Sequence, residues 1–273
     1  MWALKKPALA TAKSDLTTVI QHAQKLEDAD KPALEQLYDE YDAKGYCTDA
    51  ELSVISREKS DSLLKQYPKT YGKGNLHFIA DQLKSGITIC PYCGFNGIQQ
   101  LDHFMNKATY KALAVCRLNL VPSCGDCNFI KDAVPFDQFI HPYYHGIPAN
   151  TIFLKSDVTI NKGALNLHFH SDRSVLTRAV ADRVDSHIAL LELDRRLLIA
   201  CNDFLTNLLT HSYAKTEKGL RRIVIRELKV TETTYKANDW RCALLRGLLA
   251  CPGFNIVFAN SYTGMAVNNG EGL

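Results

Sequence analysis

The sequence predicts an α+β protein, with a small cysteine-stapled centre set between an N-terminal helical region and a C-terminal hairpin followed by helices. Three observations predict it. Apolar residues recur at helix spacing in the first and last thirds, two C-x-x-C pairs sit in the middle, and a run of alternating residues follows them. At 273 residues the chain can bury a full core, as one large domain or two modest ones. Its 46% hydrophobic and 22% charged residues exclude a disordered or fibrous chain. The expected organisation is residues 1–84 helical, 85–150 the functional centre, and 151–273 hairpin plus helices.

In the first region Leu34, Leu37, Tyr38 and Tyr41 share a helical face, and Leu52, Ile55, Leu63 and Leu64 repeat the pattern. Asp30 before Lys31-Pro32 marks a helix start. Residues 1–62 carry 8 basic and 12 acidic side chains, which argues against this segment as a main nucleic-acid surface. The KTYGKGN loop that follows brings Lys69 and Lys73 to the edge of the centre, without the spacing of a phosphate-binding P-loop.

In the centre, Cys90-Pro-Tyr-Cys93 and Cys124-Gly-Asp-Cys127 are separated by 30 residues. Each short turn can aim two sulfurs at one ion, so the two pairs predict a tetrahedral structural Zn²⁺ site. Cys47, Cys116, Cys201, Cys242 and Cys251 lack such spacing and read as core thiols. Between the pairs stand Leu101-Asp102-His103-Phe104, then Asn119 in LNLVPSCGDCN, then Asn128 and Lys131. His103 and Asn119 bracket 15 residues, and Asn119 and Asn128 bracket eight.

In order, spacing and cysteine bracket together, these residues resemble the HNH endonucleases, the ββα-metal nucleases, in their four-cysteine zinc-knuckle branch. The resemblance covers roughly 45 residues and implies a metal-dependent hydrolase of DNA phosphodiester bonds. A neutral imidazole can take a proton from water near pH 7, so His103 is the expected general base. Asp102 is a hard oxygen ligand for Mg²⁺ or Mn²⁺, and Asn128 the second ligand where the family often has His. By the same resemblance Asn119 braces the loop and orients His103. Asp132, four residues past Asn128, is an additional candidate ligand. Asn106 stands where the family commonly has proline, so the following loop is expected to differ. Lys107, Lys111, Arg117 and Lys131 are the expected phosphate-contacting cations.

Beyond the centre, residues 151–160 and 164–170 alternate and predict a hairpin turning at Asn161-Lys162-Gly163. Helical spacing returns over 174–212, 217–227 and 233–249. Residues 215–246 hold nine basic and four acidic side chains, a run read first as a solvated helix face with DNA contact as the competing reading. His141 and His145 are expected in a turn, and His168 and His170 on one strand face. The uncharged stretch from Gly247 to Gly270 contains Pro252 and several Asn, so no membrane span is expected. The start of the chain has no apolar secretory segment, and the thiols fit a reducing cytoplasm. Nucleic acid, DNA, is the expected partner. HPYY followed by a hairpin and a long helix is more loosely similar to bacterial HNH proteins of mobile elements and phage-defence loci. A homo-oligomer is a further expected partner, since concerted double-strand cuts need two active sites, and a third reading is a regulatory subunit whose helical arms dock an ATPase that gates the nuclease. The competing reading of the centre is a zinc-knuckle module that binds nucleic acid without cutting it.

Overall fold

The computed structural model describes residues 3–132, 134–148, 150–210 and 214–268, with side chains as far as 262. The expectations that touch Met1, Ser212 and the last five residues lie outside these. The fold is α+β, with two separate two-stranded antiparallel sheets among helices. It divides into two compact units, Ala3–His145 and the chain from Gly146 onward.

In the first unit, α1 (Leu9–His22) and α2 (Lys31–Lys44) bury Leu16, Val19, Leu34, Leu37 and Tyr41. α2 begins after Asp30 with Pro32 in its first turn, where a missing N–H costs nothing. The short helices α3 (Asp49–Leu52) and α4 (Arg57–Leu64) start at Thr48 and Ser56, whose hydroxyls accept from Glu51 N and Lys59 N. A 3₁₀ turn at Tyr67–Thr70 and α5 (His77–Lys84) lead into the centre. There β1 (Gln100–His103) pairs with β2 (Leu120–Ser123), and α6 (Gly125–Lys131) follows at once, giving a ββα unit. His103 stands opposite Leu120 and Asp102 opposite Val121.

The helical arm and the ββα unit share one core. Asp15 on α1 takes a bidentate ion pair from Arg117, at 2.6 and 2.8 Å, with both side chains almost fully buried. Tyr41 on α2 donates to Asn119 at 3.0 Å.

In the second unit, β3 (Leu154–Asn161) pairs with β4 (Ala164–Ser171). The turn is made by Lys162 and Gly163, both at positive φ (51° and 81°), the combination a two-residue hairpin needs. Among the described residues five helices follow: α7 (Arg178–Leu190), α8 (Leu193–Thr210), α9 (Glu217–Tyr235), α10 (Trp240–Ala250) and α11 (Ile256–Asn268). The stretch 174–212 is thus broken at Leu191-Glu192, where Glu192 has φ 49°. α9 runs unbroken past the gap expected after Glu227 and stops at Lys236, φ 74°. Among the described residues no helix is long and apolar enough to cross a membrane.

Candidate metal centre and hydrolytic site

The first C-x-x-C pair lies in a tight loop closed by Cys90 N donating to Asn96 O at 2.8 Å and Gly94 N donating to Cys90 O at 2.8 Å. The second straddles the start of α6, with Cys124 as N-cap and its sulfur accepting from Cys127 N at 3.4 Å. β1 and β2 bring the two loops together, and the four Sγ atoms lie within 4.8 Å of one another, all buried. Four sulfurs at about 2.3 Å from one Zn²⁺ stand about 3.8 Å apart. The 3.9 Å between Cys93 and Cys124 Sγ matches that edge. The cluster therefore has the ligand set and size for a tetrahedral metal, and zinc fits it. Hydrogen bonds among the four sulfurs lower the Cys124 thiol and raise those of Cys90 and Cys127. Burial instead pushes Cys47, Cys116 and Cys242 up to about 12, as in inert core thiols. All nine cysteines are free and buried.

Successive strand residues face opposite ways, and Asp102 and His103 do so. Asp102 lies on the α6 side of β1. Its Oδ2 accepts from Tyr92 Oη at 2.7 Å and pairs with Lys131 Nζ at 3.2 Å, while Oδ1 has no hydrogen bond among the described residues. Tyr92 sits inside the first cysteine loop, so the four-cysteine cluster and Asp102 are joined by one buried hydrogen bond. Asn128 on α6 is half-buried and gives its amide N–H to Gln100, which shares the Asp102 face of β1. Its Oδ1 has no partner among the described residues, and no hydrogen bond there joins Asn128 to Asp102 or His103.

His103 is 5% exposed. Its Nε2 lies 2.9 Å from Ala114 O, and a carbonyl can only accept, so Nε2 carries the hydrogen and Nδ1 the lone pair. No hydrogen bond reaches Nδ1 among the described residues. Burial pushes the imidazole down to about 4, which keeps it neutral near pH 7. The Tyr67 ring packs edge-on against it, centroids 4.3 Å apart.

Asn119 holds the loop after His103. Its Oδ1 accepts from Met105 N at 2.8 Å and its Nδ2 donates to Met105 O at 3.1 Å. His141 supports this clamp from behind. Its Nδ1 accepts from Tyr143 N, so Nε2 carries the hydrogen and donates to Tyr41 Oη at 3.2 Å, which donates on to Asn119. Asn106 accepts from Ala108 N and donates to Asp132 O, tying the loop to the end of α6. α6 stops at Lys131, so Asp132 does not continue the Asn128 face as a ligand one turn on.

The four expected phosphate-binding cations separate. Lys107 is exposed, its Nζ 5.2 Å from the Tyr67 ring centre. Lys111 is half-buried and pairs with Asp61 at 2.6 Å. Arg117 and Lys131 are 4% and 1% exposed. Arg117 is engaged by Asp15 and Gln82, and Lys131 by Asp102 and the carbonyls of His103 and Phe104. Both act as internal struts. Lys69 and Lys73, like Lys107, are exposed. Tyr67 and Tyr71 seat their loop on β1 by hydrogen bonds to Leu101 O and from Leu101 N, at 2.8 and 2.9 Å. Tyr67, Tyr71 and Tyr92 are positioning residues the sequence did not single out, and His141, expected only in a turn, is another. The one signal was that Tyr67 flanks, and Tyr71, Tyr92 and His141 lie within, a segment already flagged, the KTYGKGN loop, the first cysteine pair or the HPYYH turn.

No family model matches the chain, and no solved structure matches it. Among curated proteins, protein ea31 of Escherichia phage lambda is 34% identical over 95 residues, 33% of this chain and 32% of the phage protein. The chain thus spans about a third of the length of the curated relative it matches.

Proposed function

We propose that the protein is a metal-dependent endonuclease of the HNH type that hydrolyses DNA phosphodiester bonds. The observation that carries the reading is the state of His103: a neutral imidazole fixed at Nε2 by a main-chain carbonyl, with Nδ1 left able to accept a proton. It stands in a ββα unit beside a carboxylate that retains one uncommitted oxygen.

His103 Nδ1 takes the proton from the attacking water. Asp102 Oδ1 and Asn128 Oδ1 are the oxygens that would hold the divalent cation, and an all-oxygen pair suits Mg²⁺ or Mn²⁺. Bound there, the cation supplies charge stabilisation of the scissile phosphate and the leaving 3′ oxygen. Asn119 keeps the loop after His103 fixed, so the base does not drift from the water. Lys107, Lys69 and Lys73 attract the phosphate backbone to this side. A role in defence against phage would extend this reading, and a nuclease subunit controlled by an ATPase partner is the alternative to it.

The test is incubation of wild type and His103→Ala with plasmid, linear DNA and RNA under Mg²⁺, Mn²⁺, Ni²⁺ and chelator. Cleavage is expected with Mg²⁺ or Mn²⁺ and is expected to fall at least about 100-fold in the variant, the usual contribution of a general base. Binding by both proteins without cleavage under any metal would instead establish the zinc-knuckle binding module.

A further inference from the structure

Part of the surface cation set of this protein is paired. Lys6, Lys13, Lys25, Lys59 and Lys111 in the first unit, and Arg173, Arg195 and Arg246 in the second, each meet a carboxylate. What sets α9 apart is that its unpaired cations gather on one face. Its buried residues Leu220, Val224 and Thr231 define the inward face. At 100° per residue, Lys218, Arg222, Arg226 and Lys229 fall within an arc of about 80° centred opposite that face. All four are exposed and make no ion pair or side-chain hydrogen bond among the described residues. The acids of α9 lie off the arc: Glu217 accepts from Ile256 N, Glu232 pairs with Arg246, and Glu227 points towards the inward side. The stripe runs from Lys218 to Lys229, 12 residues and about 16 Å along the helix, roughly five steps of one nucleic-acid strand at 3.4 Å.

Four like charges on one helix face repel one another, an arrangement that is stabilising only when a polyanion covers it. We infer that the exposed face of α9 is a second nucleic-acid contact, a sequence-independent phosphate-backbone grip in the C-terminal unit, separate from the residues around His103. The inference deepens the nuclease reading: it assigns part of the affinity for substrate to a helix that does no chemistry. An anionic membrane is the competing occupant, because Ile225 and Val230 flank the stripe and are exposed. The stripe is the more charged and less apolar of the two features, and backbone phosphate is the partner it fits.

The experiment uses the full chain carrying His103→Ala, so that binding is read without cleavage. Fluorescence anisotropy with a labelled 30-base-pair duplex is compared between this parent and the parent with Lys218→Gln, Arg222→Gln, Arg226→Gln and Lys229→Gln added. The quadruple variant should bind about tenfold or more weakly near 0.1 M salt. Its log K against log[salt] slope should shallow by up to about 3.6, roughly 0.9 for each phosphate that is no longer neutralised. Gln is a good helix former, and unchanged circular dichroism and zinc content verify the fold. Arg222→Lys with Arg226→Lys should retain binding, since only charge is needed. Equal affinity and slope in parent and quadruple variant would overturn the inference. So would stripe-dependent binding to phosphatidylserine vesicles with none to duplex. The nuclease reading fails separately: wild type that cuts under no metal would remove it while leaving a stripe-dependent DNA grip standing.

Discussion

The two oxygens of Asp102 keep different company. Oδ2 is occupied by Tyr92 and Lys131, which leaves Oδ1 as the oxygen that can face a cation. Tyr92 matters because it belongs to the cysteine loop, so the geometry of the thiolate cluster reaches the carboxylate through a single hydroxyl. Partners that orient a metal-binding carboxylate typically change metal affinity by about 10–100-fold when removed. Tyr92→Phe should therefore weaken Mn²⁺ binding by about that factor, measured by calorimetry, while the four cysteines keep their zinc. An unchanged Mn²⁺ affinity in Tyr92→Phe, alongside a clear loss in Asp102→Ala, would remove Tyr92 from the site. The identities of Asp102 and His103 were legible in the sequence, but the split between the two Asp102 oxygens was not. It depends on a tyrosine ten residues upstream that is brought back by the fold of the knuckle.

Elements show the same division between local signal and packing. The hairpin turn at Lys162-Gly163 and the start of α2 after Asp30 follow from short-range chemistry, and the sequence predicts both. The break between α9 and α10 does not. Thr231, Thr233 and Thr234 weaken helix propensity only slightly, and the packed face of α9 carries the helix through them to Tyr235. α10 lies on β3, and Gly247 is the point of closest approach: a Cβ there would stand 2.4 Å from Ser156 O and 2.6 Å from Val158 Cγ2. Alanine is favoured over glycine in a helix by about 1 kcal/mol, whereas overpacking costs about 1–3 kcal/mol. The backbone carbonyl cannot swing aside as a side chain would, so the clash should win. Gly247→Ala is expected to lower stability by about 1–2 kcal/mol in urea unfolding. A more stable variant would mean that helix and strand can part at no cost.

At the scale of the whole molecule, the helical arm and the ββα unit fold as one body, and the hairpin with its helices forms the other. A tetrahedral zinc site contributes directly to the folding of the segment that supplies its ligands. Chelation should therefore strip hydrogen-exchange protection from residues 88–131 while the β3–β4 ladder and α10 keep theirs. Equal loss in both units would show that they unfold together. While the fold brought the two cysteine turns together, the sequence by itself determined the four candidate sulfur ligands, because each C-x-x-C pair is a local turn. It also determined the α+β class, the hairpin, and the order of Asp102, His103, Asn119 and Asn128. Tertiary structure alone decided which cations face water. Arg117 meets an aspartate 102 positions away and Lys131 lies beneath β1, while Lys218, Arg222, Arg226 and Lys229 are left outside. Charge is a property of the residue, but burial and pairing are set by whatever the fold brings alongside it, and spacing along the chain carries no record of that.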